Sequence, residues 1–192
     1  MISKKHLHEF IKKNKPNDLK KNNFFEISVR LGKNLYRNCY DYNISLADFE
    51  KLVTIYREKD EIKTDKIKYS KYHQYQYNQL NLIVLPDGYS ICYKYNQHKY
   101  YRYQYKGTYE TRLVCCLRSQ HSPMTFPTLF KYDNVIEVEK LIFPLEEKIK
   151  LAMYKKVDQE GFITYEVSLE IELGADFEKV VEHIKTLQQN AN

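Results

Sequence analysis

If residues 164–173 are extended, Glu166, Ser168, Glu170 and Glu172 share one face, and Tyr165, Val167, Leu169, Ile171 and Leu173 share the other. Same-face neighbours on a strand stand about 7 Å apart. Carboxylates at that pitch repel unless a cation or basic side chains face them. A solvated face is one solution, since antiparallel sheets commonly wet one side. A divalent ion is another, because carboxylate oxygens are hard ligands of the kind Mg2+ and Mn2+ take.

The preceding stretch carries the opposite sign. In Glu147-Lys-Ile-Lys-Leu-Ala-Met-Tyr-Lys-Lys156, Lys148, Lys150 and Lys156 alternate onto one face with Ala152 and Tyr154. The turn Asp158-Gln-Glu-Gly161 makes it the antiparallel neighbour of the acidic stretch, and cross-strand pairing alone accounts for part of the charge match. Near the N-terminus, Glu26-Ile-Ser-Val-Arg30 lines up a carboxylate, a hydroxyl and a guanidinium. Residues 110–118 add Arg112 and Arg118 opposite the apolar Leu113, Cys115 and Leu117. If these strands close with their polar faces inward, carboxylates and basic groups line one cavity. Arg and Lys select phosphate, so the set describes a metal-assisted phosphoanhydride site.

The elements that must position these groups are mostly strands. Phe25, Ile27, Val29 and Leu31 alternate strictly with Glu26, Ser28 and Arg30, which predicts a strand over 24–32. Asp87-Gly88 joins predicted strands 79–85 and 89–96 as a hairpin. Gly107 separates 98–106 from 109–118, and Pro123 and Pro127 mark an irregular connection. Further strands are expected at 134–142, 146–157 and 162–173. Three helices flank them. Leu7, Phe10 and Ile11 give a stripe that Pro16 ends, within a basic arm or helix over 1–22. Ser45 and Asp48 form an N-terminal capping pair for a helix over 45–57. Phe177, Val180, Val181, Ile184 and Leu187 define a C-terminal helix within 174–192. Many antiparallel strands with few glycines must curl or close. The expected fold is therefore mainly β (α+β), a closed antiparallel barrel of eight or nine strands with a few flanking helices.

Length and composition set the bounds. At ~150 residues per domain, 192 residues make a single domain over 1–192. With 43% apolar and 29% charged residues the chain is neither disordered nor membrane-spanning by composition. No apolar run reaches the ~18 residues of a membrane helix. The basic Met1-Ile-Ser-Lys-Lys-His6 has no apolar run behind it, so no signal peptide is expected. Cys39, Cys92, Cys115 and Cys116 form no CxxC pair, and the six histidines show no metal spacing. Reduced thiols and an intracellular location, cytoplasmic or nuclear, in the host cell if the source is a virus, are expected. The net charge of +6 favours anionic partners. Tyr93-Lys-Tyr95 and the run 99–106 interleave rings with cations, either to stack on RNA bases or as ordinary strand packing.

Glu26-Ile-Ser-Val-Arg30 resembles the first-strand motif of the triphosphate tunnel metalloenzymes, Glu-x-Glu-x-Arg/Lys, and Ser168-Leu-Glu-Ile-Glu172 resembles their last-strand motif, Glu-x-Glu-x-Glu. Lys148-Ile-Lys150 resembles their basic, phosphate-gripping strand. The order, separation and chain length are similar to those of the compact RNA 5′-triphosphatases of mRNA capping in large DNA viruses, fungi and protists. The resemblance implies an eight-stranded tunnel holding one Mg2+ or Mn2+. It implies hydrolysis of the γ-phosphate from the 5′-triphosphate end of RNA or from a nucleoside triphosphate, leaving a diphosphate end for a guanylyltransferase on another chain. Glu26, Glu170 and Glu172 would hold the metal. Arg30, Lys148 and Lys150 would bind phosphate, with Arg112 and Arg118 as further phosphate candidates. Glu170, or else Glu166, would orient the attacking water. Two positions depart from the motifs: Ser28 and Ser168 stand where the family has glutamates. Glu166 shares the face and can replace one; Glu137 and Glu139 are further candidates. Two other readings stay open: a tunnel hydrolase of inorganic or small organic triphosphates, and a non-catalytic basic RNA-binding barrel. No Walker A, GxSxG, HExxH or Lys-x-Asp-Gly motif is present.

Overall fold

The structure is a computed structural model that describes residues 3–17, 23–36, 39–59, 61–103, 108–122 and 134–191; at 36 and 95–103 it describes the backbone alone. The described residues form α1 (Lys4–Asn14), β1 (Asn23–Tyr36), β2 (Cys39–Asp41), α2 (Leu46–Arg57), β3 (Lys68–Tyr77), β4 (Leu80–Val84), β5 (Ser90–Tyr103), β6 (Glu110–His121), β7 (Asn134–Glu146), β8 (Ile149–Val157), β9 (Ile163–Ile171) and α3 (Phe177–Ala191). A short 3-10 turn at Thr64–Lys66 leads into β3.

The strands form one antiparallel sheet in the order β2-β1-β6-β5-β4-β3-β7-β8-β9, and β1 also pairs with β9. That last pairing, with Ser28 opposite Glu170 and Arg30 opposite Ser168, closes eight strands into a barrel and leaves β2 outside the ring. The expected closed barrel with flanking helices is therefore the fold.

Alternation decides which way the barrel faces. Ile27, Val29 and Leu31 of β1, Leu151 and Met153 of β8, and Val167, Leu169 and Ile171 of β9 point outward into one buried cluster. The helices cover them, with Leu7, Leu52, Tyr56, Val180, Ile184 and Leu187 in the same cluster. Burial of this kind stabilises by roughly 25 cal/mol per Å2 of apolar surface. It also turns the polar positions of the same strands inward. The solvated-face alternative for the acidic strand is thereby set aside.

Local signals account for the helix starts. The Ser45 hydroxyl accepts from the Asp48 N–H at 3.1 Å, as the capping pair predicts. Asp176 caps α3 by accepting from the Glu178 N–H at 2.9 Å.

Three expectations differ from the structure. Residues 89–96 and 98–106 are not two strands: β5 is continuous, with a register shift between Tyr95 and Gln97 that absorbs one residue as a bulge. Strand β7 runs through Pro144 to Glu146, because a second irregularity between Pro144 and Glu146 accommodates the missing N–H. The turn therefore falls at 147–148, and Lys148 belongs to it and not to β8. Strand β2 carried no signal in its own three residues. It docks where Gly32 leaves room: a Cβ there would lie 2.2 Å from the Asp41 carbonyl and 2.5 Å from the Tyr40 ring. Gly107, Pro123 and Pro127 lie outside the described residues.

Candidate active site

The barrel encloses a cavity of about 1070 Å3. Among the described residues four carboxylates line it, Glu26 of β1, Glu166 and Glu170 of β9, and Glu172 just beyond β9. Five described cations line it with them: Arg30, Arg118, Lys140, Lys150 and Lys156. Of the residues singled out from the sequence, Glu26, Glu166, Glu170, Glu172, Arg30, Lys150 and Arg118 converge there. Lys148 and Arg112 do not line it. Lys148 stays at its turn, where its carbonyl accepts from the Glu172 N–H at 2.9 Å. Arg112 is 7% exposed and donates to the Tyr42 hydroxyl at 3.0 Å, with its guanidinium 4.9 Å from the Tyr40 ring centre. Glu137 and Glu139 face outward, paired with Lys71 at 2.7 Å and with Lys155 at 3.3 Å.

Each tunnel carboxylate meets a cation. Glu26 lies 3.1 Å from Arg118, Glu166 lies 2.7 Å from Lys156, and Glu172 pairs with Lys150. Glu170 accepts from Lys140 at 2.8 Å and from the Tyr154 hydroxyl at 2.6 Å, both on Oε1. Burial would raise the Glu170 carboxyl, but the Lys140 charge, these two hydrogen bonds and Arg118 outweigh it and hold it below the usual range. Tyr154 moves the other way, well above an ordinary phenol, through burial and then the Glu170 charge. Cys116, in the same wall, is pushed up to about 11 by burial and by Glu26, so it stays a thiol.

Arg30 differs from the other tunnel cations. Among the described residues its guanidinium has no hydrogen bond or ion pair, and its buried Nε is unsatisfied. Its guanidinium lies 5.3 Å from the Tyr42 ring centre. Burial opposes its charge, but Tyr42, Glu166 and Glu26 outweigh that and raise its pKa. It remains charged, with donors available to an anion.

The donor set fits a hard divalent cation in its chemistry. Glu26 Oε2 is buried and out of line for a hydrogen bond with Arg118, and Ser28 Oγ two residues on is buried and equally unsatisfied. Across the ladder from Ser28 stands Glu170. Among the described residues no three acidic, His or Cys side chains stand close enough together to form a protein-only cage.

Sequence reasoning missed Lys140, Tyr42 and the amide side chains Gln74, Gln76 and Asn81 that line the cavity from β3 and β4. Lys140 alternates with Glu137 and Glu139, and that parity was its only signal. Tyr93 lines the tunnel 4.7 Å from the Arg118 guanidinium, while the other aromatic candidates for stacking, from Tyr95 to 106, have side chains outside the described set.

No protein-family model matches the sequence, and no curated protein matches it. Solved structures do. The S. pombe Pct1 RNA triphosphatase superposes with a TM-score of 0.77 at 12% identity, over 99% of this chain and 94% of that one. The Mimivirus capping enzyme triphosphatase superposes at 0.68 with 10% identity, over 99% and 98%. A structure of the RNA triphosphatase domain of the trifunctional mimivirus mRNA capping enzyme superposes at 0.70 with 9% identity, over 100% and 98%. At these identities the likeness is one of fold: from end to end, the chain has the fold of these RNA triphosphatases.

Proposed function

We propose that this chain removes the γ-phosphate from the 5′-triphosphate end of RNA, the first step of mRNA capping, inside its tunnel. The observation that carries the reading is the convergence of four glutamates and five cations in one enclosed cavity, in a fold that RNA triphosphatases share. Arg30 is the first anchor, because it can take a phosphate oxygen without giving up a partner. Lys150, Lys140, Lys156 and Arg118 must each release a glutamate, and the triphosphate repays that exchange by offering several oxygens at once. Freed in this way, Glu26, Glu170 and Glu172 would hold Mg2+ or Mn2+, directly or through water. When bound, the ion supplies charge neutralisation at the γ-phosphate oxygens. Glu170, ionised throughout the neutral range, orients the attacking water better than it accepts a proton. Glu166, further along β9, stands as the alternative for that role. The product would be a diphosphate end, the substrate of a guanylyltransferase on another chain.

The test is release of labelled γ-phosphate from triphosphate-ended RNA with Mn2+. Wild type should release it, EDTA should abolish release, and Glu172→Ala or Arg30→Ala should lower it at least tenfold. Unchanged release in both variants would sink the site assignment. Ser28 and Ser168, standing where the resembling motifs carry glutamates, favour one other outcome: tight binding of the triphosphate end without turnover.

A further inference from the structure

The tunnel wall is divided by chemistry. Among the described residues, every charged residue of the lining comes from β1, β6, β7, β8, β9 or the residue just after β9. Strands β3 and β4 and the turn between them contribute none; their part includes Gln74, Gln76, Asn78, Gln79 and Asn81. Gln74 and Asn81 are bonded side chain to side chain at 2.9 Å, which holds this amide surface in place. Phosphates are bound by charge, whereas base edges and ribose hydroxyls are read by neutral donors and acceptors, which amides supply in both kinds.

The β3–β4 turn, Asn78 and Gln79, also lines a second cavity of about 570 Å3 on its far side. Its walls are Tyr77, Leu80, Lys94 and His121. Lys94 is exposed and, among the described residues, forms no ion pair, unlike the tunnel lysines. An aromatic ring, an aliphatic wall and an uncompensated cation are the parts of a site for single-stranded nucleic acid: a base stacks and a backbone phosphate pairs.

We infer that the β3–β4 hairpin is the RNA-binding lip of the tunnel. The first nucleoside rests on its amide side, and the chain crosses Asn78 and Gln79 so that the next nucleotide enters the second cavity, its base on Tyr77 and its phosphate on Lys94. The inference rests on the triphosphate reading of the tunnel and extends it, since it makes an RNA end a better ligand than a free triphosphate.

The test is binding of a six-nucleotide 5′-triphosphate RNA carrying a 3′ fluorophore, followed by anisotropy, with inorganic tripolyphosphate as competitor. Wild type should bind the RNA more tightly than tripolyphosphate. Tyr77→Ala and Lys94→Gln should each weaken RNA binding about five- to tenfold and leave the tripolyphosphate inhibition constant unchanged. Lys94→Gln should also reduce the salt slope of RNA binding by about 0.7. The unchanged competitor constant shows in the same experiment that the barrel is intact. Equal affinity of wild type for both ligands, RNA affinity unchanged in both variants, or a parallel loss for RNA and tripolyphosphate would each overturn the lip. Phosphate release measured on the same wild-type samples reports on the tunnel reading separately. No turnover with the affinity contrast intact defeats that reading alone, and turnover with no contrast defeats the lip alone.

Discussion

Glu170 concentrates what the residue scale explains. Two donors on one oxygen, Lys140 and Tyr154, overcome its burial and keep it ionised. A carboxyl whose folded pKa lies below its unfolded value of about 4.3 contributes stability that is present above that value and lost as pH falls through the folded pKa. Wild type should therefore melt above Glu170→Gln at pH 7, with the gap closing below about pH 4. Melting curves from pH 7 to pH 3 check this, and a gap that does not change with pH would remove Glu170 from the account. Much of the site was legible at this scale: Glu26, Arg30, Lys150, Glu170 and Glu172 carry the parity and spacing that place them. Lys140 was not. Its strand has Val138, fully buried, on the tunnel side and Glu137 and Glu139 on the outer side, so polarity alone gives the wrong face. Tyr42 follows a three-residue strand, and only the tertiary docking of that strand brings it to Arg30.

At the scale of elements, strict alternation made β1, β8 and β9 readable, and the Ser45–Asp48 pair made α2 readable. What escaped depends on pairing partners. The β5 bulge and the passage of β7 through Pro144 are compromises with neighbouring strands, and a single strand's sequence does not carry its neighbour's register. The junction of β1 and β2 is the element most exposed to a single change. The Tyr40 hydroxyl donates to the Glu110 carbonyl at 2.8 Å, which ties β2 across β1 to β6, and Gly32 lies directly beneath the ring. Gly32→Ala should force β2 away and cost about 1–3 kcal/mol, the usual range for overpacking. Urea denaturation measures it. Since Tyr42 would move with β2, the variant should also bind tripolyphosphate more weakly. Wild-type stability in the variant would mean that β2 shifts freely and does not hold Tyr42.

Across the whole molecule, the part of the barrel built from β1, β8 and β9 is apolar outside and charged inside, the reverse of a soluble sheet standing alone, and the helices make that reversal affordable by covering its outer face. The net charge of +6 said less than this distribution. It favours anionic partners in general, whereas the described residues of the tunnel carry both signs. Closure depends on β1 meeting β9, which pairs Ile27 with Ile171 across most of the sequence. During synthesis, the first strand of the ring leaves the ribosome long before its partner exists. Until then Glu26 and Arg30 sit at an unpaired edge and the sheet is open. The site is thus complete only once β9 has been made. Refolding should be slow, on the order of milliseconds to seconds, and tripolyphosphate-binding capacity should return only with the slowest phase in stopped-flow measurements. Capacity regained in an earlier phase would show that the ring need not close for the cations to work. A chain stopped before residue 163 would emerge as an open sheet with two edges, a template for association with its own copies.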